Sequence, residues 1–223
     1  MSRSPSQGLR HSLILALAAG SLLLGGCSEL QLAEPSLGTT RPAFDAGDVH
    51  RGQVAALVAA EAPRLTTQQQ AEIVDILLQV EQEHGLDAFL LAGLVQQESG
   101  WNPRAISRTG ALGLMQLFSA AGRDTAEELG IPWQGRQSLL DPVTNVRLGT
   151  GYLATLDRIF DGLPLALAAY NVGPAHVQKL LSRGRRPSLE FSARVLTHRD
   201  DLRRRYGPEA LALAESAGRY AGR

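Results

Sequence analysis

The sequence predicts an all-α domain of many short helices around one core and a cleft, carried behind an export signal and a flexible tether. Three observations lead there. From residue 63 onward, apolar residues recur at helical spacing, with helix starts and stops between the runs. No segment alternates convincingly as a strand does, and there is no long repeat. One almost wholly apolar helix ends in a single carboxylate, Glu98, and runs into a polar, glycine-punctuated loop closed by Gly113-Leu114-Met115-Gln116.

The first 26 residues read as a signal peptide. Arg3, Arg10 and His11 form its charged start, and the apolar run Leu13 to Leu24 is too short to span a bilayer comfortably. The run ends in Leu24-Gly25-Gly26-Cys27, which resembles a bacterial lipoprotein box. That resemblance implies cleavage before Cys27 and acylation of its thiol and new amine, and several acyl chains give stable membrane anchoring. Ser28, in place of an aspartate, resembles the context that sorts to the outer membrane of a Gram-negative cell. Residues 27–62 then form a tether with a short helix. Pro35, Gly38, Pro42 and Gly47 lie among small polar residues up to about 48, and a weakly specified helix follows over 51–62.

Residues 63–223 form the domain. Thr66 or Thr67 caps a helix that runs to His84 and stops at Gly85. Ile73, Ile76, Leu77 and Val80 share one face of it, and Glu72, Asp75, Gln79 and Glu83 lie away from that face. Asp87 caps the apolar helix that carries Phe89, Leu90, Leu91, Leu94 and Val95 up to Glu98, ended by Gly100 and Pro103. A further helix covers about 119–129. Asp141 caps the next, with Pro142 at its first position, and it runs to about Phe160. Leu163 to Asn171, Pro174 to Leu181 and Ser188 to Arg205 complete the set. The stretch from Lys179 to Arg205 is basic: a solvated helix face, or a contact for anionic wall polymer or lipid.

Composition narrows the partners. The formal net charge is zero, which gives no case for nucleic acid, and 44% hydrophobic with 20% charged residues is ordinary for a globular protein. Cys27 is the sole cysteine, so no disulfide and no thiolate zinc site forms within the chain. The five histidines are scattered, with no pair at ligand spacing, and the reading contains no metal and no cofactor.

Glu98 carries the chemistry. Cleaving a glycosidic bond requires a proton on the leaving oxygen. A glutamic acid supplies one near neutrality only when desolvation raises its pKa. Leu94, Leu114, Met115 and Tyr170 are candidates for the apolar walls, and the C-terminal end of a helix also disfavours a negative charge.

The run from Glu98-Ser99 through Asn102-Pro103, Ser107 and Gly110-Ala111 to Gly113-Leu114-Met115-Gln116 resembles the lytic transglycosylase family of the soluble-lytic type. Asp141-Pro142, Asn145, Arg147-Leu148-Gly149 and Tyr152-Leu153 resemble its mid-domain helix. Ala168-Ala169-Tyr170-Asn171-Val172-Gly173 resembles its second cleft-lining signature. The likeness covers about residues 85–195 and implies a lysozyme-like fold that cleaves peptidoglycan strands. By that resemblance Glu98 is the catalytic acid and then the base, and Tyr170 hydrogen-bonds near its carboxyl. Ser107, Met115, Gln116 and Asn171 line sugar subsites, and Gly113 lets backbone approach the ring. Met115 also reads as core, and Asn171 as a helix cap.

The sequence departs from the family twice. Leu117-Phe118-Ser119-Ala120-Ala121 replaces the usual continuation after the glutamine, which predicts an altered cleft rim over an intact fold, with Ser119 as helix cap. Arg194 stands where the family often has a tyrosine reaching the cleft, so the third wall differs.

Between Ser99 and Arg123 there is no Asp or Glu, and Asp124, Glu127 and Glu128 lie on a helix expected to face solvent. A two-carboxylate hydrolase needs a second acid about 5–9.5 Å from the first. One acid alone predicts substrate-assisted cleavage to a 1,6-anhydro sugar. Other readings remain open. They are a goose-type lysozyme-like hydrolase, a non-catalytic lipoprotein that grips glycan, and an enzyme serving a cell-envelope machine.

Overall fold

The computed structural model describes residues 45–208 and 210. The signal peptide, Cys27 and nearly all of the tether lie outside these residues. Eight α-helices are present among the described residues: α1 (Ala46–Glu61), α2 (Thr67–His84), α3 (Ala88–Ser99), α4 (Ser119–Glu128), α5 (Pro142–Ile159), α6 (Leu163–Val172), α7 (Pro174–Leu181) and α8 (Glu190–Tyr206). The all-α expectation holds, and only isolated bridges, Ile106 with Leu112 and Leu112 with Leu117, interrupt it among these residues.

The helices start where local chemistry lets them. Thr66 accepts from the Gln69 N–H while the Gln69 side chain accepts from the Thr66 N–H, a reciprocal cap that satisfies two otherwise orphaned donors. Asp87 accepts from Leu90 N–H, and Asp141 from Thr144 N–H, at the starts of α3 and α5. Each such cap contributes about 1 kcal/mol.

Helix α3 is the axis of the domain. Every residue from Ala88 to Val95 is buried, as a helix apolar on all sides must be. It packs most extensively against α8, while α5 packs on α2, α4 and α6. Ile73, Ile76, Leu77 and Val80 are all buried on the inner face of α2. Each fully buried Leu or Ile contributes about 1.5–3 kcal/mol. The consequence is a rigid mount for the last turn of α3, where Glu98 projects.

Three expectations shift. The first helix begins at Ala46, so residues 46–48 are helical rather than tether. Ser119 does not cap α4. Phe118 takes that place with extended backbone and no side-chain bond, and Ser119 is the first helical residue. A 3-10 turn, Gly135–Leu140, stands within what reads as loop, and buries Leu139. Its three-residue period is too short to leave an amphipathic signature.

Candidate active site

A cleft of about 440 Å³ opens beside the end of α3. Glu98, Ser107, Gln116, Tyr170 and Asn171 all line it, so the structure gathers five of the predicted residues from α3, the following loop and α6. Gly113 and Met115 do not line it. They lie beneath its floor.

The floor is a turn held from below. The Leu112 and Leu117 backbones bond reciprocally at 3.0 Å, and Gly113 N–H donates to the Ala105 carbonyl at 2.9 Å. Asn145, fully buried on α5, then pins the turn. Its carbonyl oxygen accepts from Met115 N–H at 2.8 Å, and its amide donates to the Leu112 and Leu139 carbonyls at 2.9 and 3.0 Å. Gly113 has φ 77°, and a Cβ there would lie 2.4 Å from the Asn145 amide nitrogen. The glycine is therefore needed for the dock with Asn145. Met115 resolves to core: its side chain is fully buried. A Cβ on Gly149 of α5 would lie 2.4 Å from its sulfur. Asn145, Gly149 and Tyr152 recur at i, i+4 and i+7, so one stripe of α5 serves the whole floor.

Glu98 sits against this floor. Leu94, Leu114, Met115 and Tyr170 are all buried, as the apolar-wall reading expects. Burial raises the Glu98 carboxyl to about 7 from an ordinary 4.5, with no cation or hydrogen bond acting against it. The group thus holds a proton near neutrality and can return to carboxylate without a large change in free energy. Ser99, the next residue, donates to the Leu114 carbonyl at 2.7 Å and so ties the end of α3 to the turn.

Tyr170 is a neighbour of Glu98, and its hydroxyl donates to the Met115 carbonyl at 2.8 Å. Its phenol is pushed well above its ordinary range, first by burial and then by the charges of Glu98 and Tyr152. Gln116 adopts φ 48°, a backbone region costly for a side chain of this kind. Its amide donates to the Ala105 and Gly113 carbonyls at 3.1 and 2.9 Å, which holds that conformation and leaves the amide oxygen for a ligand. Ser107 accepts from Ala111 N–H at 2.9 Å and meets the Thr109 hydroxyl at 3.0 Å. Asn171 is exposed on the wall and does not act as the helix cap.

The cleft also recruits residues that the sequence reading did not select. Tyr152 packs its ring on Tyr170, with centroids 5.4 Å apart and tilted 49°. Its helical spacing from Asn145 was the available signal. Phe118 presents a half-exposed ring on the rim, at the point where the sequence departs from the family.

Among the described residues Glu98 is the one carboxylate that lines the cleft. Asp124, Glu127 and Glu128 are exposed on α4. Glu128 pairs with Arg158 and Asp124 with Arg123, although Asp124 is close enough to Tyr152 to help raise its phenol.

Residues 75–189 match the profile of the Transglycosylase SLT domain. The chain belongs to that family. It is 41% identical over 132 residues to the membrane-bound lytic murein transglycosylase F of Alcanivorax borkumensis, covering 56% of this chain and 24% of that protein. It is 39% identical over 102 residues to the soluble lytic murein transglycosylase of Salmonella typhimurium, covering 44% of this chain and 16% of that one. The chain therefore spans less than a third of the length of either relative. The 70-kDa soluble lytic transglycosylase of Escherichia coli superposes with a TM-score of 0.51 at 24% identity, over 72% of this chain and 31% of that one. This likeness carries the lysozyme-like fold of the family.

Proposed function

We propose that this chain is a peptidoglycan lytic transglycosylase. It cleaves the β-1,4 bond between N-acetylmuramic acid and N-acetylglucosamine without water. One observation carries the reading: a lone carboxyl, raised to about 7, lines the cleft of a family member. Protonated Glu98 donates to the bridging oxygen, and the bond to the muramic C1 breaks. The muramic N-acetyl group supports the oxocarbenium charge. Glu98, now a carboxylate, removes the proton of the 6-hydroxyl, whose oxygen closes onto C1 to give the 1,6-anhydro sugar. Intramolecular attack benefits from proximity. A hydrolase would need a second carboxylate to activate water, and the described cleft offers none. Gln116, Asn171 and Ser107 provide polar contacts for the sugars.

The test is mass spectrometry of products released from purified sacculi by the chain and by Glu98→Gln. Anhydro-muropeptides from the wild type alone are expected. Free reducing ends would make the chain a hydrolase. Sacculus binding without any product would make it a scaffold.

The chain is anchored through acylated Cys27 at the periplasmic face of the outer membrane in this reading, which rests on the Leu24-Gly25-Gly26-Cys27 sequence. Labelled palmitate should enter the wild type and not Cys27→Ala. Equal labelling of the two would remove the anchor.

A further inference from the structure

Asn171 and Val172 form one edge of the cleft. Both residues also line a second hollow of about 190 Å³. Its other walls include His176 from α7 and Glu190, Phe191 and Arg194 from α8.

The cations of this region fall into two groups. On the later turns of α8, Arg199, Arg203, Arg204 and Arg205 pair with Asp200, Asp87, Asp201 and Glu61. Arg183, Arg185 and Arg186, in the loop that precedes Pro187, and Arg194, in the wall of the hollow, are all exposed, and none has a carboxylate partner among the described residues. Glu190 stands one turn before Arg194, yet the two are not within ion-pair distance. It occupies the first turn of α8, where the helix N-terminus favours its charge. An arginine that faces a concave wall with no internal partner presents a planar donor fork suited to a carboxylate.

We infer that Arg194, which shares this hollow with His176, forms a carboxylate-binding subsite beside the cleft and recognises the free carboxylates of the strand's peptide stems. This rests on the peptidoglycan reading above. The N-acetylated sugars carry no charge where stems are attached, so the anionic groups along a strand are those of the stems. The two wall residues that the hollow shares with the catalytic cleft favour the strand over a membrane surface. A membrane would be met by a convex patch, whereas Arg194 lines a hollow.

The experiment compares kcat/KM on soluble strands with free stem carboxylates against the same strands converted to primary amides. The full chain is used beside Arg194→Ala and Arg194→Lys. The wild type should prefer the acid form by about tenfold, the effect of one charge-assisted bidentate contact. Arg194→Ala should bring the ratio close to one, and Arg194→Lys should keep part of it. Arg194 is exposed, so these changes leave the core untouched. An active wild type with no preference would overturn the subsite, as would an Arg194→Ala variant that retains the wild-type ratio. A wild type that releases no anhydro product from either strand would overturn the peptidoglycan reading and the subsite with it. Loss of sedimentation with phosphatidylglycerol vesicles in Arg194→Ala, read in a Cys27→Ala background that carries no acyl anchor and at an unchanged ratio, would assign these cations to a membrane instead.

Discussion

The Tyr170 hydroxyl and the Met115 carbonyl meet at 2.8 Å, joining α6 to the cleft floor across 55 residues of chain. The bond lies at the base of the wall beside Glu98 and links the two sequence signatures that build the cleft. Tyr170→Phe removes the donor and leaves the Met115 carbonyl buried without it. The expected cost is about 1–3 kcal/mol of stability, read by denaturant unfolding. Turnover should fall by about tenfold, chiefly in kcat, because the wall that desolvates Glu98 loosens. An unchanged kcat in a destabilised variant would limit Tyr170 to a structural role.

Glu98 itself should weaken the fold. Its folded pKa of about 7 lies above the ordinary 4.5, so the folded state holds a proton that the unfolded state has released. Folding stability therefore falls as pH rises through that window and is fully retained below it. The shift corresponds to as much as about 3 kcal/mol, an upper value because the carboxyl is part-exposed. Glu98→Gln cannot ionise. It should match the wild type near pH 4 and exceed it at pH 8, with the gap opening between about 4.5 and 7. A difference independent of pH would mean that the carboxyl is not desolvated.

The same titration sets a limb of the activity profile. The first step needs protonated Glu98, so kcat/KM should decline above about pH 7, tenfold for each further unit. The measurement is initial release of soluble muropeptides across a pH series, with the fold checked at each point. A limb near 4.5 would contradict desolvation as the source of the acid.

What the sequence made legible was local. The caps at Thr66, Asp87 and Asp141 are short-range patterns, and they stand where their neighbours predict. The uninterrupted apolar run of α3, ending in Glu98, announces both the central helix and its acid. What stayed hidden depends on contacts between distant segments. Met115 is core because Gly149 opens a slot for its sulfur, and no pattern around Met115 states that. Phe118 displaced Ser119 as the cap residue because the backbone enters α4 extended one residue earlier. Trp101 adopts φ 60° with its ring buried, and only the surrounding core fixes so unusual a conformation for an aromatic residue. Tyr152 was within reach, since its spacing from Asn145 and Gly149 puts it on the face that builds the floor.

The floor also yields the sharpest mutational contrast. Asn145 makes three hydrogen bonds into one turn from a fully buried position. Asn145→Ala orphans the Met115 N–H and the Leu139 carbonyl, while the Leu112 carbonyl keeps the Leu117 N–H, and should cost about 3 kcal/mol. Asn145→Asp keeps the acceptor for Met115 but faces the Leu112 and Leu139 carbonyls with oxygen, so it should be no better at neutral pH. Gly113→Ala attacks the same dock from above, through its positive φ and a Cβ within 2.4 Å of the amide. Because the two changes break one contact, their effects should fall short of additive. A double-mutant cycle by chemical denaturation measures this. Full additivity would mean that Gly113 and Asn145 act on the turn independently, contrary to the packing described.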